Sequence, residues 1–284
     1  MSFDRIGVVG GGTMGAGIAE VCARSGADVI VLEVSDAALN AARGRVESSL
    51  ARAVRSGRLE EDARDAVLAR LQWVTDYADL HDRELVVEAA PEDEQLKFAV
   101  FRTLDAVVQP GAILASNTSS IPLVKMAAVT KRPQQVVGVH FFNPVPVLPL
   151  VEIVESLLTS PETLVAVTEF AEKQLDKVTI RSKDRAGFVV NALLIPYLLS
   201  AIRMLESGFA SADDIDQGMI KGCAHPMGPL ALADLIGLDT TSAVAQSMYA
   251  EFKEPLFAPP PLLLRMCEAG LLGRKTGQGF FAYP

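Results

Sequence analysis

Two side chains near the middle of the chain have the chemistry of a general base and its orienting partner. His140 ends the apolar run Val136–Val139, and Glu152 follows 12 residues later inside the apolar segment Leu150–Val154. An imidazole can accept a proton near neutral pH, and a carboxylate beside it fixes its tautomer and stabilises its charged form. Because an acid among apolar residues is unfavourable unless paired, the two residues together indicate proton transfer. His140 alone would more simply be a hydrogen-bonded core histidine.

A glycine-rich turn near the start of the chain predicts a binding site for a dinucleotide. The run Ile6–Val9 leads into Gly10–Gly15, which has the spacing G-x-G-x-x-G. The first glycine of this motif permits a tight turn, the second lets the backbone approach a pyrophosphate, and the third lets the following helix pack on the strand. The helix N-terminus then offers free N–H groups to the phosphates. The predicted contacts are Gly10, Gly12, Thr13, Met14 and Gly15.

An acid after the second predicted strand indicates which dinucleotide is bound. Glu33 follows Val29–Leu32 and stands 18 residues after Gly15, where a carboxylate accepts hydrogen bonds from the hydroxyls of the adenosine ribose. This carboxylate would repel the additional phosphate of NADP, and the next arginine along the chain is Arg43. We therefore expect NAD as the cofactor, the alternative being a glycine-rich turn in an ordinary α/β protein.

The elements that must position these residues alternate between strands and helices over roughly the first 180 residues. Apolar runs predict buried strands at Ile6–Val9, Val29–Leu32, Leu85–Val87, Ile113–Ala115, Val136–Phe142, Leu150–Val154 and Val178–Ile180. Helices are predicted between them, among them Met14–Arg24, Glu94–Val107 and Glu162–Gln174. This alternation predicts an α/β fold with a Rossmann-type, doubly wound and mostly parallel sheet.

The sequence pattern changes near Gly187, where patterns typical of strands are replaced by long helical ones. We therefore predict an NAD-binding domain at residues 1–184 and an all-helical C-terminal domain at residues 185–284. The helices of the second domain are apolar on more than one side, which favours a homodimer formed through it. The apolar stretch Phe188–Leu205 contains Pro196 and Arg203 and has no second span, so a buried helix is expected there rather than a membrane span.

Composition excludes several classes of function. The chain has 26 Lys plus Arg against 35 Asp plus Glu, a formal net charge of -9. Because binding to nucleic acid depends on neutralising phosphates with basic residues, we do not expect bulk nucleic-acid binding. The three cysteines are too widely spaced to predict a disulfide framework or a metal site; they are Cys22, Cys223 and Cys267. We expect no signal peptide, no metal and a cytoplasmic location.

Several longer motifs, in the same order along nearly the whole chain, resemble the L-3-hydroxyacyl-CoA dehydrogenase family, in particular its 3-hydroxybutyryl-CoA dehydrogenase branch. Beside the glycine turn, they are Ala115–Ser120, His140–Pro144, Leu150–Val154, Gly187–Asn191, His225–Pro229, Leu235–Asp239 and Gly273–Phe281. The resemblance implies reversible, NAD-dependent oxidation of a short-chain 3-hydroxyacyl-CoA, with 3-hydroxybutyryl-CoA as the expected substrate. Two positions depart from many relatives: Ala186 replaces a proline, and Ala192 replaces an arginine near the domain junction.

The resemblance also implies roles for individual residues. His140 would be the base and Glu152 its partner, while Ser119 and Asn191 would bind the reacting end of the substrate. Further cofactor contacts would be Glu92, Lys97 and Asn117. Without the resemblance, Ser119 and Asn191 would be loop or helix-cap residues, and Glu92 and Lys97 would belong to a surface helix.

The helical stretch Asp36–Leu59 is rich in arginine and is the part that contacts coenzyme A in the family. We expect Ser49, Arg52 and Arg55 to lie near the adenosine phosphates, Arg52 and Arg55 sharing one helix face. A solvated charged face is an equally good interpretation of the arginines. Three other functions stay open: the same oxidation on a carrier-protein-bound substrate, a sugar-acid dehydrogenase of the same fold, and a structural or NAD-sensing protein, which would need neither His140 nor Glu152.

Overall fold

The computed structural model of the chain describes residues 2–283, which divide into two compact units with the boundary between Arg185 and Ala186. The first unit is an eight-stranded sheet with flanking helices, and the second is helical. The predicted fold class, a Rossmann-type sheet followed by a helical region, is therefore confirmed.

The sheet of the first unit has the strand order of a dinucleotide-binding fold. Its strands are β1 (Arg5–Val9), β2 (Asp28–Leu32), β3 (Leu71–Val74), β4 (Leu85–Glu88), β5 (Ile113–Ser116), β6 (Val136–Phe141), β7 (Leu150–Glu155) and β8 (Val178–Lys183). They lie in the order β3-β2-β1-β4-β5-β6-β7-β8, and neighbours run parallel except for the antiparallel pair β6 and β7. The order reverses beside β1, and ligands of such sheets bind there, at the carboxyl ends of the strands.

Each predicted strand is present, and one further strand was not predictable from an apolar run. The central strands β4, β5 and β6 are buried along their whole length, which explains why their sequences are apolar up to the polar residues near their carboxyl ends. The missed strand, β3, lies at the edge of the sheet, and Gln72 interrupts its short apolar sequence. An edge strand needs no continuous apolar run because only part of it is covered.

Helices connect the strands and form the whole scaffold of the second unit. Those of the first unit are α1 (Thr13–Arg24), α2 (Asp36–Arg55), α3 (Glu61–Ala69), α4 (Glu94–Val107), α5 (Leu123–Ala128) and α6 (Pro161–Glu169). Those of the second are α7 (Val190–Glu206), α8 (Ala212–Gly222), α9 (Pro229–Ile236), α10 (Leu238–Phe252) and α11 (Pro261–Glu268). Short 3₁₀ segments lie at Tyr77–Leu80, Pro133–Gln135, Pro255–Phe257 and Arg274–Thr276, and α6 continues as a π-helix over Phe170–Gln174.

Helix α1 is buried on nearly every side. Its small residues, among them Ala16, Gly17 and Ala19, are buried, and the helix packs against β1, β2 and α2, with Val145 of the loop after β6 next to Gly17. Cys22 is 0% exposed within it, and burial raises the pKa of its thiol to about 12. The helix that follows the glycine turn is therefore held rigidly, with its N-terminus at the carboxyl edge of the sheet.

Two buried carboxylates hold separate segments of the second unit together through hydrogen bonds. Asp216 accepts hydrogen bonds from the N–H groups of Leu230 and Ala231, both at 2.9 Å, at the start of α9. Asp234 accepts hydrogen bonds from the N–H groups of residues 280 and 281, at 2.9 and 3.0 Å, and from the Tyr283 hydroxyl at 2.9 Å. Burial and the neighbouring Asp234 raise the pKa of Tyr283 to about 12, which keeps the phenol protonated as a donor.

The apolar stretch Phe188–Leu205 supplies most of α7. Its buried face consists of Ile195, Leu198, Leu199, Ala201 and Ile202, which belong to the core of the second unit. Over the described residues, no helix is long and apolar enough to cross a membrane.

Candidate active site

The predicted base and its partner face each other across two strands. Strands β6 and β7 are antiparallel, and their register pairs His140 directly with Glu152. His140 Nδ1 lies 2.6 Å from Glu152 Oε2, and the two residues are 6% and 0% exposed. The Phe142 ring packs edge-on against the imidazole at a centroid distance of 4.7 Å. Such a short buried contact fixes the orientation of the imidazole.

A second buried acid, Glu88, ends β4 and is a site residue that the sequence reasoning missed. Its side chain is 0% exposed, and Oε1 accepts a hydrogen bond from Lys97 Nζ at 2.6 Å, while Oε2 accepts one from the Ser116 hydroxyl at 2.7 Å. Lys97 itself is 1% exposed, so α4 does not present it to solvent as a surface helix would. The signal that identifies Glu88 is an acid directly after the apolar run Leu85–Val87, the same kind of signal that marks the acid of β7.

Glu92 links this ion pair to the serine-rich loop after β5. Its Oε2 lies 3.3 Å from Lys97 Nζ, and its Oε1 accepts hydrogen bonds from the hydroxyls of Thr118 at 2.5 Å and Ser120 at 2.7 Å. The Ser119 N–H donates to the same oxygen at 3.2 Å. Burial acts to raise the pKa of Glu92, but Lys97 and the two hydroxyls outweigh it and hold that pKa below its usual 4.5. An ionised Glu92 therefore fixes the loop that carries Ser119.

Asn117 joins the ends of the three central strands. Its Oδ1 accepts a hydrogen bond from the Phe141 N–H at 2.8 Å, and its own N–H donates to the Glu88 carbonyl at 2.9 Å. Because β4, β5 and β6 are parallel neighbours, their carboxyl ends meet at one edge. The structure brings to that edge the predicted residues Glu92, Lys97, Asn117, Ser119 and His140.

The glycine turn after β1 has the conformation and the space that a pyrophosphate needs. Gly10 has a φ of +93°, in the region that favours glycine. A Cβ on Gly15 would overlap the carbonyl oxygen of Gly10, whereas a Cβ on Gly12 would meet nothing within 4 Å. Thr13 and Met14 open α1, whose first turn contains no acid and whose N-terminus has no side-chain cap. These residues therefore fit a dinucleotide, with N–H groups available to its phosphates.

Glu33 lies just after β2 and already contacts the glycine turn. Its Oε1 accepts a hydrogen bond from the Gly11 N–H at 2.6 Å, and its Oε2 accepts one from the Val34 N–H at 3.2 Å. Each carboxylate oxygen has a further lone pair, so ribose hydroxyls can bind to the same half-buried group. The geometry is compatible with the predicted role.

A cavity of about 610 Å³ lies within the first unit, between α1, α2 and the loop after β6. Of the three residues predicted to contact coenzyme A, Ser49 and Arg52 line it, whereas Arg55 is exposed and lies outside the lining. Thr13 and Asn143 also line it, so the cavity extends from the glycine turn to the loop that follows His140.

Asn191 belongs to the second unit, where it lies half-buried in the first turn of α7. The preceding Gly187 has a φ of +84°, and a Cβ there would stand 2.9 Å from Met248 Sδ. A glycine is therefore required at this entry to α7. Ala186, one of the two departures from the family, donates its N–H to Glu251 Oε2 at 2.9 Å, a bond that a proline at this position would remove.

The strand order, the glycine turn and the buried histidine–carboxylate pair define a dinucleotide-dependent oxidoreductase. Within residues 2–283, no group of three histidine, cysteine or acidic side chains is arranged to hold a metal ion.

Comparisons with known proteins give the particular family. Residues 5–185 match the NAD-binding domain of 3-hydroxyacyl-CoA dehydrogenases, and residues 187–283 match the C-terminal domain of the same enzymes. A 3-hydroxybutyryl-CoA dehydrogenase of Mycobacterium tuberculosis is 56% identical over 283 residues, covering 99% of each chain. The crystal structure of M. tuberculosis FadB2 superposes with a TM-score of 0.99 at 56% identity over the full length of both chains. That of (S)-3-hydroxybutyryl-CoA dehydrogenase PaaH1 from Ralstonia eutropha has a TM-score of 0.94 at 46% identity, again over both full chains.

The chain belongs to the 3-hydroxyacyl-CoA dehydrogenase family. This confirms the predicted family, the cofactor NAD and the reaction class, NAD-dependent oxidation of a 3-hydroxyacyl-CoA. The roles of the individual residues stay predictions, and their geometry is the basis of the proposals below.

Proposed function

We propose that the chain oxidises 3-hydroxybutyryl-CoA to its 3-oxo product, with His140 as the general base and Glu152 as its orienting partner. The names of relatives that match over at least 98% of the chain support the four-carbon acyl group. The observation that carries the catalytic assignment is the 2.6 Å contact between His140 Nδ1 and Glu152 Oε2 in a buried cross-strand pair. This pair lies at the carboxyl edge of the sheet, where ligands of this fold bind.

Removal of a proton from the substrate hydroxyl is the step assigned to His140. NAD, when bound, accepts the hydride that leaves the alcohol carbon. With Nδ1–H donating to Glu152, Nε2 of His140 is the atom that takes the hydroxyl proton, and the Glu152 charge stabilises the imidazolium that forms. The alcohol thus loses one hydride and one proton and becomes a carbonyl. In the reverse direction, the imidazolium returns its proton to the oxygen.

The serine-rich loop and α7 supply the proposed contacts to the reacting end of the substrate. Ser119 would donate a hydrogen bond to the substrate oxygen from a loop that Glu92 holds through its hydrogen bonds to the Ser119 and Ser120 N–H groups. Asn191 would donate to the thioester or 3-oxo oxygen, as its match to the family motif supports. Lys97, Glu92 and Asn117 would border the nicotinamide and its ribose.

The cavity beside α2 is the proposed site for the coenzyme A tail. Ser49 and Arg52 line it, and a guanidinium is suited to a phosphate. Arg55 is proposed to act only as a nearby positive charge, since it lies outside the lining. A carrier-protein-bound substrate shares the phosphopantetheine arm with coenzyme A but lacks its adenosine phosphates. Comparing the two as substrates therefore separates these alternatives.

The second unit is the proposed dimerisation surface. Helix α7 buries one apolar face, yet Leu193 is 74% and Met204 is 41% exposed. These two residues are 11 positions apart, which is about three helical turns, so they lie on the same side of the helix. Phe209, just after the helix, is 80% exposed. A second apolar stripe of this kind supports a homodimer. A cytoplasmic location is proposed as well, supported by three cysteines that are all free thiols.

The assignment of the base is tested by NADH formation from 3-hydroxybutyryl-CoA in the wild-type protein and in His140→Ala. We expect kcat to fall about 10³-fold, because general-base catalysis contributes of that order, while NAD binding measured by fluorescence is unchanged. His81→Ala is the matched control, since His81 is exposed in a charged loop and its loss should leave kcat at the wild-type value. Turnover of His140→Ala within about tenfold of wild type would refute the assignment.

A further inference from the structure

One buried acid in the first unit has no hydrogen bond. Glu20 lies on α1 and is 0% exposed, and neither of its carboxylate oxygens has a hydrogen-bond partner. Arg24 Nη1 lies 3.5 Å from Oε1, which gives Glu20 a nearby charge but no hydrogen bond. A buried carboxylate in this state is strongly unfavourable. Its presence is therefore unexplained by the stability of the first unit.

Glu20 lines the cavity between α1, α2 and the loop after β6. Ser49 and Arg52 line it on the α2 side, and Arg45 is a further cation in the lining. The volume of about 610 Å³ is in the range of small-molecule sites. The cavity therefore combines cationic donors on one side with an unused acceptor on the other.

The surroundings of Glu20 indicate what the missing partner is. Burial raises the pKa of the Glu20 carboxyl above its usual 4.5, although Ser49 and Arg24, which lie near it outside hydrogen-bonding geometry, and the charge of Arg52 act to lower it. A phosphate alone would suit the arginines but would be repelled by the carboxylate. A phosphate with a hydroxyl group close to it satisfies both, because the hydroxyl can donate to the carboxylate.

We propose that Glu20 is a substrate-binding residue that accepts a hydrogen bond from a hydroxyl of coenzyme A lying near a phosphate held by Arg52 and Ser49. This inference rests on the proposed function, since it takes a coenzyme A thioester as the substrate. Coenzyme A has two such groupings. One is the ribose 2′-hydroxyl beside the 3′-phosphate, and the other is the pantoyl hydroxyl near the phosphate of the pantetheine arm.

Two replacements of Glu20 separate hydrogen bonding from packing. Glu20→Met keeps the length of the side chain and removes the acceptor, whereas Glu20→Gln keeps one acceptor oxygen. We expect Glu20→Met to raise the KM for 3-hydroxybutyryl-CoA roughly tenfold, the effect of losing a hydrogen bond to a charged group. The rise for Glu20→Gln should be smaller, about threefold, and kcat should stay within about twofold of wild type in both. Glu47→Met, at an exposed acid on α2, is the charge-matched control and should leave KM unchanged.

The melting temperature of the ligand-free protein distinguishes a substrate-binding role of Glu20 from a purely structural one, because only a structural role predicts a lower Tm on its replacement. Replacing a buried carboxylate that has no hydrogen bond by an apolar side chain of similar length should raise the Tm of the ligand-free protein or leave it unchanged. We thus expect Glu20→Met to be as stable as wild type but to bind substrate more weakly. A lower Tm together with equal losses on all substrates would show a structural role and overturn the proposal.

Truncated substrates identify which hydroxyl is bound. The same 3-hydroxybutyryl group is offered on coenzyme A, on 4′-phosphopantetheine and on N-acetylcysteamine, and the ratio of mutant to wild-type KM is compared. If the ribose hydroxyl is the partner, the penalty of Glu20→Met is lost with phosphopantetheine. If the pantoyl hydroxyl is the partner, it persists there and is lost with N-acetylcysteamine. A penalty on every substrate, no penalty on any, or a KM below wild type would each overturn the proposal. Failure of the wild type to oxidise the coenzyme A thioester would instead overturn the proposed function.

Discussion

Buried carboxylates occur in both units of the molecule, but their partners differ in kind. At the carboxyl edge of the sheet, Glu152 contacts an imidazole, and Glu88 contacts an ammonium group, a hydroxyl and the N–H of Ala90, two residues further along the chain. In the second unit, Asp216 accepts only from backbone N–H groups, and Asp234 accepts from two N–H groups and a phenol. The former carboxylates orient ionisable or polar side chains at the candidate site, whereas the latter fix the path of the chain.

The partners of a buried acid therefore indicate its role before its function is known. A carboxylate that binds N–H groups distant in sequence joins two segments, so its loss should be measured as a loss of folding free energy. A carboxylate that binds a titratable side chain sets the charge and orientation of that side chain, so its loss should be measured in turnover. The predictions below test this division.

Glu152→Gln should have the largest effect, and it should fall on catalysis. The amide cannot stabilise an imidazolium and can hold the imidazole of His140 in the wrong tautomer. We expect kcat to fall by about 10³-fold, equivalent to about 4 kcal/mol, with a change in Tm of only a few degrees. Steady-state kinetics and thermal denaturation measure the two quantities on the same sample. A large loss of stability with kcat preserved in the folded protein would contradict the division.

Asp234→Ala should have the converse effect. It leaves two N–H groups and the Tyr283 hydroxyl without their acceptor, and we expect unfolding to be easier by about 3 kcal/mol. The value of kcat per folded molecule should stay unchanged. Asp239→Ala is the matched control, because Asp239 forms an exposed ion pair with Lys275, and such pairs contribute below about 1 kcal/mol. Equal destabilisation by both variants would count against a special role for Asp234.

Glu88→Gln should show a smaller effect of both kinds, since Glu88 holds a lysine near the proposed cofactor site and also ties β4 to β5. The amide leaves Lys97 with one carboxylate, Glu92, at 3.3 Å. We expect a loss of about 2 kcal/mol in unfolding free energy, below the full penalty for breaking a buried ion pair, and an increase of roughly tenfold in the KM for NAD. Chemical denaturation and initial-rate kinetics test this. An unchanged KM for NAD would show that Glu88, like Asp234, contributes to folding stability and not to the site.

Much of the fold was predictable because continuous burial leaves a continuous apolar sequence. The glycine turn was equally predictable, since Gly10 and Gly15 are required by backbone conformation and by a close approach. The edge strand β3 was not, because half-buried residues such as Trp73 follow no strict pattern. The limit there was the degree of burial.

The candidate site was predictable where one side chain contrasted with its neighbours. Glu152 stands in the middle of an apolar strand, and the sequence alone raised its pairing with a base. Glu88 ends its strand nine residues before Lys97, which lies on a helix, so the contact between them could be found only in three dimensions. Glu20 lies among the small residues of α1, and nothing in the spacing of the sequence indicates that α2 and the loop after β6 enclose it.

Because Cys22 is buried, the reactivity of its thiol depends on local opening of the first unit. A thiol that is 0% exposed, with a pKa of about 12, presents almost no thiolate to an alkylating reagent, whereas Cys223 in the second unit is exposed. Pulse labelling with a maleimide would therefore modify Cys223 at once and Cys22 only when α1 separates from the sheet. The rate at which Cys22 is labelled, compared with that of Cys223, would therefore measure how often the NAD-binding unit opens locally, with and without its ligands.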